Sequence, residues 1–315
     1  MGRIKGLSLF ANVGVAEAMF KNIGVDIVLA NELIEKRAQF YQEVYPDAEM
    51  ICGDITDENT RDRIVAKARE IGVNFVIATP PCQGMSVAGN RDPDDPRNQL
   101  IYYAIDVIKR IQPDFVMLEN VPKQLTTKIT VDGEKIRIPD YIKAELNDAY
   151  AFNTETLAKA KDFSVPQLRE RNIFLLVKRH LGFVWEFPPK QREITLEEAI
   201  GDLPSLDPDL RETSEKWRFP DFERKKEEGL KVSKWHYPPR HSWKQVEWLL
   251  HTPSGKSAFE NSIYYPKKDN RRIKGAPRTY MRMDWNKPAT TILQNSNVIS
   301  TFSTVHPGRL IKDDG

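Results

Sequence analysis

Cysteine is scarce in this sequence: Cys52 and Cys82 are the only two among 315 residues. Two cysteines cannot build a disulfide framework, so the sequence predicts a protein of a reducing, cytoplasmic compartment. Long apolar runs are also missing, because no stretch approaches the length of a membrane span. The first residues carry a little positive charge, but the apolar stretch behind them is too short and too interrupted for a signal peptide. We therefore expect neither a secreted nor a membrane protein.

The overall formal charge of +2 hides an uneven distribution. Between Arg211 and Arg282 the chain has 18 Lys and Arg against 9 Asp and Glu, which leaves 29 basic and 36 acidic residues elsewhere. The same segment holds four of the six tryptophans. A basic, aromatic-rich segment beside an acidic remainder is typical of a module that binds nucleic acid, although a solvated lysine-rich surface would have the same composition.

Residues 4 to about 178 alternate short apolar runs with helical periodicity, which predicts a doubly wound α/β fold with a mostly parallel sheet. The predicted strands are Ile4–Phe10, Val25–Ala30, Glu49–Ile51, Asn74–Ala78, Asp114–Leu118 and Ile173–Val177. The predicted helices are Val15–Asn22, Ile34–Val44, Thr60–Ile71, Gln99–Ile111 and Tyr141–Tyr150, with a polar loop at Lys123–Lys135. From about Trp185 onward prolines interrupt the pattern, so we expect an irregular, loop-rich second domain.

The segment Ala78–Ser86 places a lone thiol, Cys82, after a strand-like run and directly behind Pro80-Pro81. Two prolines remove two backbone donors and fix φ twice, so this loop cannot begin as an ordinary helix. Most free cysteines are buried and inert, but the neighbours of Cys82 are not apolar enough to bury it. Because open α/β sheets carry their chemistry at the carboxyl ends of strands, Cys82 is a candidate nucleophile. Cys52, in contrast, is predicted to be a packed thiol at a strand end.

Three other strand ends carry groups suited to a cofactor. The turn Phe10–Gly14 could hold a carboxylate or phosphate at a helix N-terminus, but it lacks the G-x-G-x-x-G spacing, which argues against a nicotinamide enzyme. Glu32 follows the second strand, where an acid commonly accepts hydrogen bonds from ribose. Asp54 follows the third strand, where it could accept from an exocyclic amine. Each acid alone is more often a helix cap, but together they indicate a nucleoside-bearing cofactor with an anionic or zwitterionic tail.

Glu119 ends a hydrophobic strand-like run, so its carboxyl group must be either paired or partly desolvated. A carboxyl group at such a position is a candidate proton donor, and a structural cap is the alternative. Further along, Arg169 and Arg171 lie on the same side of an extended segment. Two fixed guanidinium groups could hold a phosphate and favour a nearby thiolate.

Taken in order, these motifs resemble those of DNA (cytosine-5) methyltransferases: Phe10 to Gly14, Pro80 to Ser86, Glu119-Asn120-Val121 and Gln167-x-Arg169-x-Arg171. The segments Arg278–Tyr280 and Pro288–Ile292 are similar to the block that follows the target-recognition domain of that family. The similarity covers almost the whole chain. It implies a Rossmann-like catalytic domain in residues 1–184, a target-recognition domain in residues 185–276 and a return segment in residues 277–315.

The resemblance also implies a reaction. S-Adenosyl-L-methionine, released as S-adenosyl-L-homocysteine, would donate a methyl group to C5 of a flipped-out cytosine in double-stranded DNA, without a metal, in a bacterial restriction–modification system. Cys82 would add to cytosine C6 and Glu119 would hydrogen-bond or protonate N3, while Arg169 and Arg171 would hold the flipped nucleotide. The residues implied to line the cofactor are Phe10, Asn12, Gly14, Glu32, Asp54, Ile55, Pro80 and Leu100. Those implied to contact DNA are Gln83, Ser86, Arg271, Arg272, Lys274 and Thr291.

The sequence departs from the family pattern at two places. Asn12 and Val15 replace glycines of a Phe-x-Gly-x-Gly-Gly turn, although asparagine tolerates a left-handed backbone. The chain also ends at Gly315 without the closing motif of the family, so we expect a missing tail or a second polypeptide that supplies it, with a shortened cofactor pocket as the alternative. Two other functions stay open: a tRNA cytosine-5 methyltransferase, which Gly84-Met85 argues against, and a DNA-binding subunit without catalysis.

Overall fold

The computed structural model describes residues 4–81, 96–238, 240–269, 271–273 and 280–292. The chain divides into two compact units, one of residues 1–158 and 170–188 and the other of residues 159–169 and 189–315. The functional domain boundaries expected from the sequence, at residues 184 and 276, remain a prediction.

The first unit is an α/β unit with a mixed sheet. Its strands are β1 (Ile4–Leu9), β2 (Val25–Glu32), β3 (Glu49–Cys52), β4 (Phe75–Ala78), β5 (Phe115–Asn120), β6 (Lys128–Val131), β7 (Glu134–Arg137), β8 (Tyr150–Phe152), β9 (Leu157–Lys159) and β10 (Glu170–Lys178). Over the described residues, eight of them form one sheet in the order β3-β2-β1-β4-β5-β10-β8, with β9 paired to β10, and β6 and β7 form a separate hairpin. Strands β1 to β5 are parallel, whereas β10 is antiparallel to β5 and β8. The predicted α/β fold is confirmed.

The helices that flank this sheet, in the described part of the chain, are α1 (Glu35–Val44), α2 (Glu58–Ile71), α3 (Leu100–Ile111) and α4 (Ile138–Leu146). Helix α2 begins at an N-cap, where the Asp57 carboxylate accepts the Thr60 amide at 2.9 Å, and it ends at Gly72 with φ of 77°. Helix α3 buries an apolar stripe against the same core as the central strands. Consecutive residues of β1 and β4 are buried, so both faces of these strands are covered, whereas only alternate residues of β5 are fully buried.

The predicted helix at Val15–Asn22 is wrong. Turns follow Gly14, and a short 3₁₀ helix occupies Phe20–Ile23, with hydrogen bonds between residues three apart. Val15, Met19 and Ile23, whose spacing imitates a buried helical face, are 77%, 66% and 72% exposed. The helical spacing of these apolar residues therefore did not indicate a buried face.

Two other expectations need correction. The predicted loop at Lys123–Lys135 contains a 3₁₀ helix, Pro122–Thr126, and most of the β6–β7 hairpin. The helix predicted at Tyr141–Tyr150 begins earlier, because Pro139 lies in its first turn, where proline is favoured. Residues 150–152 form β8 instead.

The second unit has little regular structure in its described residues. It contains α5 (Leu196–Ile200), α6 (Phe222–Val232), α7 (Trp243–Leu250) and two short strand pairs: β11 (Asp209–Leu210) with β12 (Arg240–His241), and β13 (Lys267–Lys268) with β14 (Arg271–Arg272). Trp248, Leu249, Ala258 and Tyr280 form a small core. Across the described ranges of both units, every helix is too short or too polar to cross a membrane.

Candidate active site

Strand β1 ends in a turn with a left-handed backbone at Phe10 (φ 59°), Asn12 (φ 51°) and Gly14 (φ 79°). The Asn12 amide donates to Glu32 Oε2 at 2.9 Å. Asparagine therefore adopts the left-handed conformation at a position where the resembling family has glycine.

The acidic residues Glu32 and Asp54 follow neighbouring strands, since Glu32 pairs with Cys52, two residues before Asp54, in the β2–β3 register. Glu32 is 5% exposed, and its carboxylate accepts the backbone amides of Asn12 and Ile34, each at 2.9 Å. Glu32 Oε1 also lies 3.9 Å from Arg37 Nη1. A carboxylate oxygen can accept more than one hydrogen bond, so Glu32 can still accept from a hydroxyl group. Asp54 is exposed and accepts the Thr56 amide at 2.9 Å.

Three smaller observations complete this side of the sheet. Ile55 is 4% exposed, and Leu100 opens α3 partly buried against the core. The thiol of Cys52 is exposed, with Sγ 3.8 Å from the Leu33 carbonyl oxygen, so the prediction of a packed thiol is wrong. Cys52 ends the short β3, whose last side chain is not covered.

A buried acid, Glu17, lies behind the turn, and sequence reasoning missed it. Glu17 is only 3% exposed. Its Oε1 accepts a hydrogen bond from the Tyr41 hydroxyl at 3.1 Å, and its Oε2 has no hydrogen-bond partner among the described residues. Burial raises the pKa of Glu17 above its ordinary value, and the hydrogen bond from Tyr41 opposes that shift. Burial also raises the pKa of Tyr41. No signal in the sequence separates Glu17 from an exposed helical glutamate.

Strands β5 and β10 bring Glu119 and Arg171 together. Glu119 stands opposite Ile173 in the antiparallel register, so Arg171 is its diagonal neighbour on the same face. Arg171 Nε lies 2.7 Å from Glu119 Oε1, and Arg171 Nη1 donates to the Glu170 carbonyl at 2.7 Å. About a quarter of each side chain is exposed. Of the two states expected for Glu119, the structure shows the paired one.

The opposite face of β5 holds the stem of the loop that carries the thiol. Asn120 is 2% exposed, and its Nδ2 donates to the Pro80 carbonyl at 3.0 Å. The backbone amide of Val121 donates a hydrogen bond to Asn120 Oδ1 at 2.8 Å, which holds the Asn120 side chain in this orientation. Pro80 is buried. Cys82, Gln83 and Ser86 themselves lie outside the described residues.

The second unit contains the remaining predicted residues. The segment before Arg169 is tied to the segment before Thr291: the Leu168 amide donates to the Ala289 carbonyl at 2.6 Å, and Thr291 Oγ1 donates to the Leu168 carbonyl at 3.4 Å. The Arg169 carbonyl accepts from the Ala160 amide at 2.8 Å. Arg169 and Thr291 therefore lie near each other in this unit.

The two arginines of β14 have different surroundings. Arg272 Nη2 donates to the carbonyl oxygens of Phe259 and Asn261, at 2.7 and 2.8 Å, and its guanidinium lies 4.4 Å from the Tyr265 ring centre. Arg271 is exposed and stands opposite Lys268. Lys274 lies outside the described residues. Within those residues, His, Cys, Asp and Glu form no group of three or more suited to a metal.

Comparison with known proteins identifies the family of the chain. The family model for C-5 cytosine-specific DNA methylases matches residues 4–311. The type II methyltransferase M1.HgaI of Avibacterium volantium is 41% identical over 316 residues, which cover 98% of this chain and 82% of that protein. The type II methyltransferase M.DdeI of Desulfomicrobium norvegicum is 33% identical over 207 residues, covering 64% of this chain and 48% of its own length.

A solved structure shares the fold. It is the crystal structure of a prophage-encoded E. coli protein assigned as a DNA modification methyltransferase, with a TM-score of 0.63 over 97% of this chain and 85% of that one. At 20% sequence identity, this likeness concerns the fold alone. The match of the family model over almost the whole chain, with the M1.HgaI relative, shows that the chain belongs to the C-5 cytosine-specific DNA methylase family and is a DNA cytosine-5 methyltransferase.

Proposed function

We propose that this chain methylates a cytosine that it flips out of double-stranded DNA, through a transient bond between Cys82 and cytosine C6. The observation that carries the proposal is the Glu119–Arg171 pair at the end of β5, one residue from the Asn120 side chain that holds the stem of the Cys82 loop. The type II methyltransferases among its relatives support a role in a restriction–modification system.

The family implies S-adenosyl-L-methionine as the methyl donor, and the residues at the ends of β1 to β3 fit it. The left-handed turn lies beside Glu32, whose carboxylate can still accept from hydroxyl groups. When bound, this cofactor supplies an electrophilic methyl group. The residues proposed to hold it are Phe10, Asn12, Gly14, Glu32, Asp54, Ile55, Pro80 and Leu100.

Cytosine C5 is a poor nucleophile, so a nucleophile must first add across the C5–C6 bond. The Cys82 thiolate forms a bond to C6 as the C5–C6 π bond opens. Glu119, in its protonated form, donates a hydrogen bond or a proton to N3 and so stabilises the negative charge that the thiolate brings to the ring. C5 is then electron-rich enough to accept the methyl group. Loss of the C5 proton to a base breaks the bond between Cys82 and C6, which releases the thiolate and restores the aromatic ring. A proton taken up at N3 returns to Glu119 in the same step. Removing the base from the stack is required, because C6 is out of reach inside the duplex.

Arginines complete the proposed site. Arg171 orients the Glu119 carboxylate through the contact at 2.7 Å. Arg169 and Arg171 are proposed to contact a phosphate of the flipped nucleotide, which guanidinium groups bind well.

The β13–β14 hairpin is proposed to contact DNA. Lys268 and Arg271 face each other across the two strands, and neither forms an ion pair with any residue that the structure describes. Like charges in opposed positions destabilise a hairpin, and a polyanion relieves that repulsion. A two-stranded ribbon also fits the major groove. Arg272 anchors the hairpin, and Arg271 contacts DNA together with Lys274, Gln83, Ser86 and Thr291.

The test uses double-stranded DNA that contains 5-fluorocytosine. Fluorine at C5 blocks proton loss, so the wild-type chain with S-adenosyl-L-methionine should accumulate a covalent complex that survives denaturation, and Cys82→Ser should not. Bisulfite sequencing of plasmid DNA from expressing cells then locates the methylated cytosines, and a tRNA substrate serves as the competing arm. The comparisons give no support for a second polypeptide, so the chain is tested alone. A chain that binds the cofactor but forms no adduct contradicts the proposal.

A further inference from the structure

A buried amide pair lies behind Glu119 and Arg171, with Asn172 on the opposite face of β10 and Gln124 just after β5. Asn172 and Gln124 are 0% and 1% exposed, and Asn172 Nδ2 donates to Gln124 Oε1 at 2.8 Å. Asn172 stands directly opposite Asn120 in the β5–β10 register. Gln124 belongs to the 3₁₀ helix after β5, and its backbone amide donates to the Val121 carbonyl oxygen at 3.0 Å. The pair therefore joins β10 to the segment that directly follows β5.

A gain in stability does not account for this pair. Asn172 Oδ1 is buried and has no hydrogen-bond partner among the described residues. An unsatisfied buried acceptor costs about 1–3 kcal/mol, whereas replacing both partners of a buried hydrogen bond by apolar groups can be neutral or stabilising. A hydrogen bond, however, has a preferred length and direction that apolar contacts lack. What the amide pair contributes is a defined position for β10.

We propose that Asn172 and Gln124 are positioning residues for methyl transfer. Asn172 directly follows Arg171, and successive side chains of a strand point to opposite faces. A hydrogen bond on the buried face therefore sets where Arg171 stands on the other face, opposite Glu119. The proposal rests on the proposed function, because it takes Glu119 and Arg171 as the groups that touch the substrate.

The first test replaces the pair by apolar residues in the double variant Gln124→Leu with Asn172→Val. This change removes the hydrogen bond and the unsatisfied oxygen together, so the melting temperature should equal or exceed that of the wild type. We expect kcat for DNA methylation to fall at least ten-fold, while KM for DNA and Kd for S-adenosyl-L-methionine stay within two-fold. The exchanged pair, Gln124→Asn with Asn172→Gln, keeps the two amides and should recover kcat to within three-fold of wild type.

The outcomes are separable. Wild-type kcat in the folded apolar double variant assigns the pair to packing and overturns the proposal. If that variant does not fold, Gln124→Met removes the acceptor with little change in shape, and wild-type kcat there overturns the proposal equally. A crystal structure of either variant gives a readout independent of catalysis: the Arg171 Nε–Glu119 Oε1 distance should lengthen, and an unchanged distance overturns the proposal. A wild-type chain that forms no adduct contradicts the proposed function and leaves this distance test standing.

Discussion

The hydroxyl group of Tyr45 donates a hydrogen bond of 2.6 Å to the backbone carbonyl oxygen of Gly14. The Tyr45 ring occupies the space that a Cβ atom at position 14 would need, and its centre lies 4.7 Å from that of Tyr41. Two tyrosines at the end of α1 therefore support the turn at Phe10–Gly14 from behind. The turn depends on this support as well as on its own backbone.

Gly14→Ala should damage this turn in two ways, through the unfavourable φ of 79° and through collision with Tyr45. We expect the free energy of unfolding to fall by about 3 kcal/mol and the affinity for S-adenosyl-L-methionine to fall as well. Gly24→Ala is the matched control, since Gly24 has φ of 81° but no atom within 4 Å of the position that a Cβ would take. It should cost about 1–2 kcal/mol and leave affinity unchanged. Urea unfolding and calorimetry measure both quantities, and equal losses in the two variants would contradict the role of Tyr45.

Glu17→Gln should change how stability depends on pH. Because the pKa of Glu17 is raised, the folded protein binds a proton on the Glu17 carboxyl group more tightly than the unfolded chain does. The resulting stability is fully present below the ordinary pKa of 4.5 and is lost as pH rises through the raised value. Glutamine stays uncharged, so the variant should melt above the wild type at pH 8, and the difference should shrink towards pH 4.

The control for this comparison is Glu43→Gln, which removes a carboxylate from an exposed position of α1. Its melting temperature should not show the same pH-dependent gain. A Glu17→Gln variant whose difference from wild type is constant between pH 4 and pH 8 would show that Glu17 does not titrate in this range.

Arg171→Lys should reduce kcat while leaving stability nearly unchanged. Arg171 uses Nε for Glu119 and Nη1 for the Glu170 carbonyl, and one ammonium group cannot reproduce this geometry. A carboxylate displaced by about 1 Å can cost roughly 100-fold in rate. Arg179→Lys is the control, because Arg179 also makes two bonds, to Asn147 O and Oδ1 at 2.7 and 2.9 Å, beyond the far end of β10. Single-turnover methylation should separate the two, and equal rates would remove Arg171 from the site.

The two arginines of β14 should respond differently to alanine. Arg271→Ala should weaken DNA binding and lower the slope of log Kd against log salt concentration by about 1. Its melting temperature should be unchanged or slightly raised, because the like charge opposite Lys268 is removed. Arg272→Ala removes hydrogen bonds to the carbonyl oxygens of Phe259 and Asn261, so it should lower stability by about 1–3 kcal/mol. Fluorescence anisotropy over a salt series and thermal melts test this division. Loss of stability in Arg271→Ala would contradict it.

The central strands were predictable because each is an apolar run bounded by turn residues. The expected Asn74–Ala78 became Phe75–Ala78, and Glu49–Ile51 became Glu49–Cys52. The same reasoning failed after Gly14, where left-handed residues redirect the chain and apolar side chains face solvent. The spacing of apolar residues in a sequence shows a periodic pattern. Whether the face that carries them is buried depends on the tertiary structure.

The site was predictable to the extent that single residues carry its chemistry. Glu119 and Arg171 were identified separately, but their contact depends on the register of two strands far apart in sequence. Glu17, Gln124 and Asn172 could not be found, because a polar residue at a strand end or in a turn gives no sign of burial. Trp248, grouped with the basic segment on composition, is a core residue of the second unit, whereas Trp217 is 69% exposed.

The pairing of β5 with β10 also determines what inactive protein would look like. Side chains alternate along both strands, so sliding β10 by one position would exchange its two faces and turn Arg171 inward while bringing Asn172 out. Such a chain would keep its helical and strand content and much of its compactness, yet it would transfer no methyl groups. A preparation with native circular dichroism and low specific activity is therefore best examined for misaligned strands before its chemistry is questioned.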